Sequence, residues 1–135
     1  MKHVTSAALL SLGLASFPCM ATPSAAQELA GYDRFDVTAS HRSMPLAASI
    51  WYPAGTYIYR APVTKSAIWQ STDAYIGAAI APGKHPLILL SHGSGGNMDA
   101  LGWLSSQLAL SGAMVLAVNH PGTTSGDSSP RRTIH

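Results

Sequence analysis

Residues 87–118 read LILLSHGSGGNMDALGWLSSQLALSGAMVLAV and decide the fold. Leu87–Leu90 is a continuous apolar run, typical of a strand that is covered on both faces. A glycine-rich turn follows, and residues 97–111 predict a helix, because an asparagine suits its N-cap and leucines recur at helical spacing. Gly112 suits the position just past the helix end. Residues 113–118 form a second buried apolar run, so the stretch predicts a βαβ unit with parallel strands and a right-handed crossover.

Two stretches of alternating polarity precede this unit. Residues 32–38 and 46–52 alternate apolar and polar side chains, which predicts two half-buried strands. Residues 41–43 suit the connection of a hairpin, so we expect an antiparallel pair at the edge of the sheet. Residues 60–83 show no clear period and are expected to form an irregular excursion with one or two short strands, closed by a turn at residues 82–83. The fold class predicted is α/β.

Composition allows one domain and excludes some partners. The chain has 135 residues, of which 47% are hydrophobic and 10% charged, so it can bury a core and differs from disordered chains. Its formal net charge is +2, with basic residues scattered along the chain. Because nucleic-acid binding needs a clustered basic face, we expect no nucleic-acid partner. The sequence leaves the oligomeric state open.

The first residues have the pattern of a signal peptide. A short basic start is followed by an apolar run over residues 4–17 and by the small residues Ser24 and Ala26. The run is too short for a membrane anchor, which needs about 20 apolar residues. We therefore expect residues 1–26 to be cleaved and the protein to be exported, to the periplasm or beyond the cell. The single cysteine, Cys19, would leave with this segment, which suits an oxidising compartment.

The glycine-rich turn is the candidate functional site. Residues 91–97 follow a buried parallel strand, at the sheet edge where α/β proteins bind ligands. Glycines at positions 93, 95 and 96 let the backbone turn sharply and aim its N–H groups outward. Such N–H groups bind negative charge, for example the oxyanion of a tetrahedral intermediate.

These residues resemble a known family. His92-Gly93 with two glycines behind it resembles the oxyanion loop of α/β-hydrolases. The longer string, from residues 85–97 to the NHPGT of residues 119–123, is similar to the dienelactone-hydrolase-like and platelet-activating-factor-acetylhydrolase-like branch. The likeness runs from residue 32 to the end of the chain and corresponds to the N-terminal part of that domain.

The resemblance implies a serine ester hydrolase that acts on a small-molecule ester and needs no cofactor. By this likeness the backbone N–H of Ser94 would stabilise the oxyanion, and His92 would shape the loop formed with Gly93, Gly95 and Gly96. His120 and Asp127 are candidates to line the same cleft, although Asp127 also suits a turn.

The sequence departs from the family in one important respect. It contains no Gly-x-Ser-x-Gly, the turn that presents the nucleophile. The nearest match, residues 122–126, has Thr124 at its centre and follows the wrong strand. In the family the nucleophile, acid and histidine all come after the strand that ends near Asn119. We therefore expect residues 27–135 to be a truncated α/β-hydrolase domain that is inactive alone.

Other functions remain as alternatives. The chain could be a non-catalytic exported binding module, or a truncated gene product without function, and the DNA downstream of residue 135 would separate these cases. A nucleotide site is disfavoured, because a dinucleotide fingerprint needs a glycine where Met98 stands and the Gly-Lys-Ser/Thr of a P-loop is absent. No metal site is predicted, because the histidines are dispersed with no pair at i,i+4.

Overall fold

The structure is a computed structural model that describes residues 29–56, 59–64 and 70–128. The predicted signal peptide lies outside the described residues. The described residues form eight strands and one helix, and these elements are, in chain order, β1 (Gly31–Val37), β2 (Leu46–Tyr52), β3 (Ala54–Thr56), β4 (Arg60–Pro62), β5 (Asp73–Ile76), β6 (Ala79–Ile80), β7 (Leu87–Leu90), α1 (Gly102–Leu110) and β8 (Met114–Val118).

Six of the strands form one mixed sheet in the order β4-β5-β1-β2-β8-β7. The strands β7 and β8 are parallel, with Leu87 opposite Met114 and Leu90 opposite Ala117. They are joined through α1, so the predicted βαβ unit is confirmed. The strands β3 and β6 pair separately as a small antiparallel sheet. A sheet that carries a helix in a β-α-β connection has the α/β character that the sequence predicted.

The hairpin of β1 and β2 is confirmed, but its predicted place at the sheet edge is wrong. The two strands pair antiparallel from Gly31 opposite Tyr52 to Val37 opposite Leu46. On the outer side of β1 lies β5, in parallel register, and β4 lies beyond it. These outer strands come from the stretch without clear periodicity, since strands of three and four residues are too short to show an alternating pattern.

Strand β7 is covered on one face only, which corrects the prediction of cover on both. It is the last strand of the sheet as described, and Leu87 and Leu89 are 59% and 74% exposed. Ile88 and Leu90 point to the other face, where they pack against the core. Helix α1 packs against β2 and β8 on that core side. The side chains of β7 therefore alternate between exposed and packed, because α1 covers only one face of the sheet.

Helix α1 begins at Gly102 rather than at residue 97. The side chain of Asn97 accepts a hydrogen bond from the backbone N–H of Asp99 at 2.9 Å, which makes a local turn instead of a helix cap. The helix ends as predicted, because Gly112 donates to the Ala109 carbonyl and Ala113 donates to the Leu108 carbonyl. These two bonds are those of a Schellman motif.

The main core lies between the sheet and α1. Trp51 and Val115, neighbours across β2 and β8, are fully buried. The ring of Tyr32 meets the Trp51 ring edge-to-face at 4.9 Å between centroids. This core holds the strand ends in place, and the candidate site lies at those ends.

Within the described residues, no helix has the length and apolar character needed to cross a membrane.

Candidate active site

The candidate site forms where the parallel strands β7 and β8 end. Because the two strands run in the same direction, the segments that follow them emerge at one edge of the sheet. Two backbone hydrogen bonds join these segments, since the Gly95 N–H donates to the Thr123 carbonyl and the Ser125 N–H donates to the Gly96 carbonyl, both at 2.8 Å. The glycine turn is therefore clamped to the loop that follows β8.

Residues 93–96 form a type II turn. The Gly96 N–H donates to the Gly93 carbonyl at 3.0 Å, and Gly95 has a φ of +80°. No non-glycine residue described has a positive φ, so Ser94 occupies position i+1 of this turn and Gly95 position i+2. A Cβ on Gly96 would lie 3.1 Å from the Gly93 oxygen. The turn thus favours glycine at position 95 by its positive φ, and a side chain at position 96 would crowd the Gly93 carbonyl.

The expectation that the turn aims its N–H groups outward is wrong for two of them. The N–H groups of Gly95 and Gly96 are taken by the carbonyls of Thr123 and Gly93. Ser94 lies at the exposed tip of the turn. Its role as an oxyanion donor stays a prediction.

The side chain of His92 lies under the turn and is buried. Its Nδ1 is 2.8 Å from the Gly93 oxygen, and its Nε2 is 3.3 Å from the Thr124 hydroxyl. The backbone N–H of His120 also donates to His92 Nε2, at 3.4 Å. The imidazole therefore links the turn to the loop after β8, and its role in shaping an oxyanion loop stays a prediction.

His120 lies beside His92, with 4.7 Å between ring centroids, as expected for two histidines that follow neighbouring strands. Its Nε2 is 2.9 Å from the hydroxyl oxygen of Ser91. Sequence analysis did not single out Ser91. The available signal was its position, because Ser91 directly follows β7 and His120 comes two residues after the end of β8.

Asp127 has the turn role that the sequence allowed. Its carboxylate accepts a hydrogen bond from the Gly122 N–H at 2.9 Å and so closes the loop after β8. It also lines a shallow cleft of about 320 Å3 beside this loop, whose lining residues are Pro45, Leu46, Ala47, Asn119, Pro121, Thr124, Ser125, Gly126 and Asp127. His120 is not among the lining residues of this cleft.

The segment between the turn and α1 is tied to the sheet by Asp99, which sequence analysis also missed. Its side chain is 3% exposed and accepts hydrogen bonds from the Tyr32 hydroxyl, at 2.9 Å, and from the Arg34 guanidinium. The neighbouring Met98 N–H donates to the side chain of Asn119 at 2.8 Å. Nothing local in the sequence reveals these partners, because they come from distant parts of the chain.

Burial shapes the electrostatics of this tether. Burial raises the pKa of the Tyr32 hydroxyl, the hydrogen bond from Arg34 opposes that rise, and the charge of Asp99 adds to it. The hydroxyl therefore stays protonated and can donate to the carboxylate.

Among the described residues, no group of three or more histidine, cysteine, aspartate or glutamate side chains could hold a metal ion.

Comparison with known proteins finds a similarity of fold. No protein-family model matches the chain, and no match is found among curated proteins. Among solved structures, the chain is similar to a ferulic acid esterase from Streptomyces cinnamoneus, with a TM-score of 0.63 and 24% sequence identity. The match covers 78% of this chain and 36% of that one, so the chain spans about a third of the esterase's length. The described residues thus share the fold of part of an esterase.

Proposed function

We propose that this chain carries the oxyanion loop of an exported serine hydrolase that acts on small-molecule esters. The observation that carries the proposal is the type II turn at the end of β7, with Ser94 at its tip. It lies at the sheet edge where α/β enzymes hold their active sites, in a fold shared with part of an esterase. The proposal needs no cofactor.

In this proposal, Ser94 acts through its backbone. When a serine nucleophile attacks an ester carbonyl, negative charge develops on the carbonyl oxygen, and the Ser94 N–H donates a hydrogen bond to it. The family's second donor is the N–H that follows the nucleophile. Because the 135 residues contain no Gly-x-Ser-x-Gly, the proposal assigns the nucleophile, acid and catalytic histidine to residues outside this sequence.

The contacts around the turn support this role, because an oxyanion donor works best when it is held in place before the reaction. The bond from Gly95 to Thr123 fixes one side of the turn, and His92 fills the space beneath it. Asp99 anchors the following segment to β1. A donor on this turn would lose little entropy when charge appears.

The test is to express the reading frame extended beyond residue 135 and to assay it on nitrophenyl acetate. We expect the extension to encode a Gly-x-Ser-x-Gly and to hydrolyse the ester, whereas the 135-residue chain gives only the background rate. An extension that is inactive, or that lacks the motif, contradicts the proposal and favours the binding-module or non-functional alternative.

The donor itself is tested in the active extended chain with Ser94→Pro. Proline removes the N–H but suits position i+1 of a type II turn, so the loop keeps its shape. We expect kcat to fall by about 100- to 1,000-fold, the usual loss of one oxyanion donor. Ser94→Ala keeps the N–H, and its loss should stay below about tenfold on the same grounds. Equal losses in the two variants would show that the N–H is not the donor.

Export is part of the same proposal and rests on residues 1–26 alone. We expect exported material to begin at Gln27, because the small residues Ser24 and Ala26 suit a signal peptidase. N-terminal sequencing measures this directly. Material that retains Met1, or that carries a lipid on Cys19, would contradict it.

A further inference from the structure

Ser91 and His120 have the geometry of a nucleophile and its base. Ser91 is exposed at the end of β7, and its hydroxyl oxygen lies 2.9 Å from Nε2 of His120. This distance lies within the range over which an imidazole takes a proton from an attacking serine. The pair stands beside the glycine turn but uses different atoms from the proposed oxyanion donor.

We propose that Ser91, activated by His120, is a second nucleophile that accepts an acyl or phosphonyl group from an activated ester. The proposal goes beyond the ester hydrolase proposed above, because it places covalent chemistry within these 135 residues and does not need the nucleophile assigned to residues outside them. Its ligand class is the electrophilic ester, whether carboxylic or phosphonic.

The base is held in place on its backbone and its ring. The carbonyl of His120 accepts hydrogen bonds from the Thr124 hydroxyl at 2.8 Å and from the Thr123 N–H at 3.1 Å. The ring contacts the His92 ring, with 4.7 Å between centroids. An imidazole that carries its proton on Nδ1 then presents the Nε2 lone pair to the Ser91 hydroxyl.

The step balances without any further reactant. The Ser91 oxygen attacks the carbonyl carbon, a bond from Oγ to carbon forms, and the bond from carbon to the leaving alkoxide oxygen breaks. The hydroxyl proton passes to His120 Nε2 and from there to the leaving oxygen, which departs as the alcohol. With a fluorophosphonate, the bond from Oγ to phosphorus forms, the bond from phosphorus to fluorine breaks, and the proton leaves with fluoride.

Ser91 should be acylated once, and the acyl group should then remain on the serine. In the part of the chain that the structure describes, no carboxylate hydrogen-bonds the His120 ring, so the third member of a catalytic triad is missing there. We therefore expect stoichiometric labelling rather than turnover, so this chain should still hydrolyse esters only at the background rate.

A second exposed serine provides a matched control. Ser111 is also exposed, but its hydroxyl donates to the Leu108 carbonyl at 2.7 Å instead of meeting an imidazole. If exposure alone decided reactivity, Ser91 and Ser111 would react alike. If the imidazole decides it, only Ser91 reacts quickly.

The experiment treats the full 135-residue chain with a fluorophosphonate probe and follows the label by intact mass and peptide mapping. We expect one label per chain, on Ser91, which Ser91→Ala abolishes and Ser111→Ala leaves in place. His120→Ala should slow labelling by about 100-fold, the lower end of general-base catalysis.

Circular dichroism of each variant checks that it is folded. Should His120→Ala not keep the wild-type spectrum, His120→Gln takes its place, since its amide retains a polar group near Nε2 but is too weak a base. Wild type that is unfolded in guanidinium before the probe is added should not be labelled. Labelling at another residue, no labelling, or an equal rate on Ser91 with and without the imidazole overturns the proposal. These outcomes leave the oxyanion role of Ser94 untouched, because that role is read from turnover by the extended chain.

Discussion

Tyr32 and Asp99 lie 67 positions apart, and the Tyr32 hydroxyl donates a 2.9 Å hydrogen bond to the Asp99 carboxylate. Arg34, two residues further along β1, donates to the other carboxylate oxygen. One buried acid thus ties the first strand to the segment that leaves the glycine turn. The tether connects the stability of the fold to the shape of the candidate site.

Asp99→Ala should lower the free energy of unfolding by about 1–3 kcal/mol, because the Tyr32 and Arg34 donors lose a buried acceptor. The matched control is Asp73→Ala, which removes the exposed ion pair with Arg60 and should cost less than about 1 kcal/mol. Urea denaturation of both variants measures the difference. Equal costs would mean that the Asp99 tether contributes no more than a surface pair.

Gly95→Ala should destabilise the chain by about 1–2 kcal/mol, because alanine is strained at the φ of +80° that Gly95 adopts. Gly93→Ala is the control, since a Cβ there meets no atom within 4 Å and its φ is not positive. That variant should stay within about 0.5 kcal/mol of the wild type. The comparison is made by urea denaturation, and a loss in Gly95→Ala no larger than that in Gly93→Ala would contradict the strain expected at Gly95.

Replacing both exposed leucines of β7, as Leu87→Ser with Leu89→Ser, should reduce self-association with little loss of stability. An exposed edge strand with apolar side chains is a template for pairing between chains, and these side chains are 59% and 74% exposed. Ile88→Ala, on the face that packs against the core, should instead cost about 2 kcal/mol without improving solubility. Size-exclusion chromatography measures self-association, and urea denaturation measures the free energy of unfolding. Unchanged self-association in the double variant would contradict the prediction.

Stability should fall in strong alkali, in part through Tyr52. This residue is 1% exposed, and its hydroxyl lies 2.7 Å from an Asp33 carboxylate oxygen and 2.8 Å from the Ala78 carbonyl. Burial raises the pKa of Tyr52, and the hydrogen bond to Asp33 and its charge raise it further. A pKa above the unfolded value of about 10 means that the folded state holds the proton more tightly.

The stabilisation is therefore fully present below about pH 10 and is lost as the pH rises above that value. Tyr52→Phe should flatten the decline in the free energy of unfolding on the alkaline side, although it costs stability at neutral pH. Urea denaturation at a series of pH values measures the slope. An identical slope in wild type and Tyr52→Phe would show that Tyr52 contributes nothing to it.

Local sequence pattern was enough to predict the regular elements that carry a strong period. The strand β2 has the predicted bounds, β1 and β8 differ from theirs by a residue, and the glycine after α1 ends the helix as expected. These features depend on side chains that are near neighbours along the chain, so periodicity and end signals reveal them. The composition of the turn at residues 91–97 likewise pointed to the sheet edge where the candidate site lies.

The tertiary structure decided which elements and side chains meet. Whether the β1–β2 pair lies inside the sheet depends on β5, a short strand with too little pattern to predict. The Asn97 side chain binds the Asp99 N–H instead of capping the helix, and the Asp99 side chain is held by Tyr32 and Arg34 of β1. Ser91 and His120 meet because β7 and β8 are adjacent and parallel. Such contacts join distant parts of the chain, and their energies depend on sheet order and burial, which no local window of sequence contains.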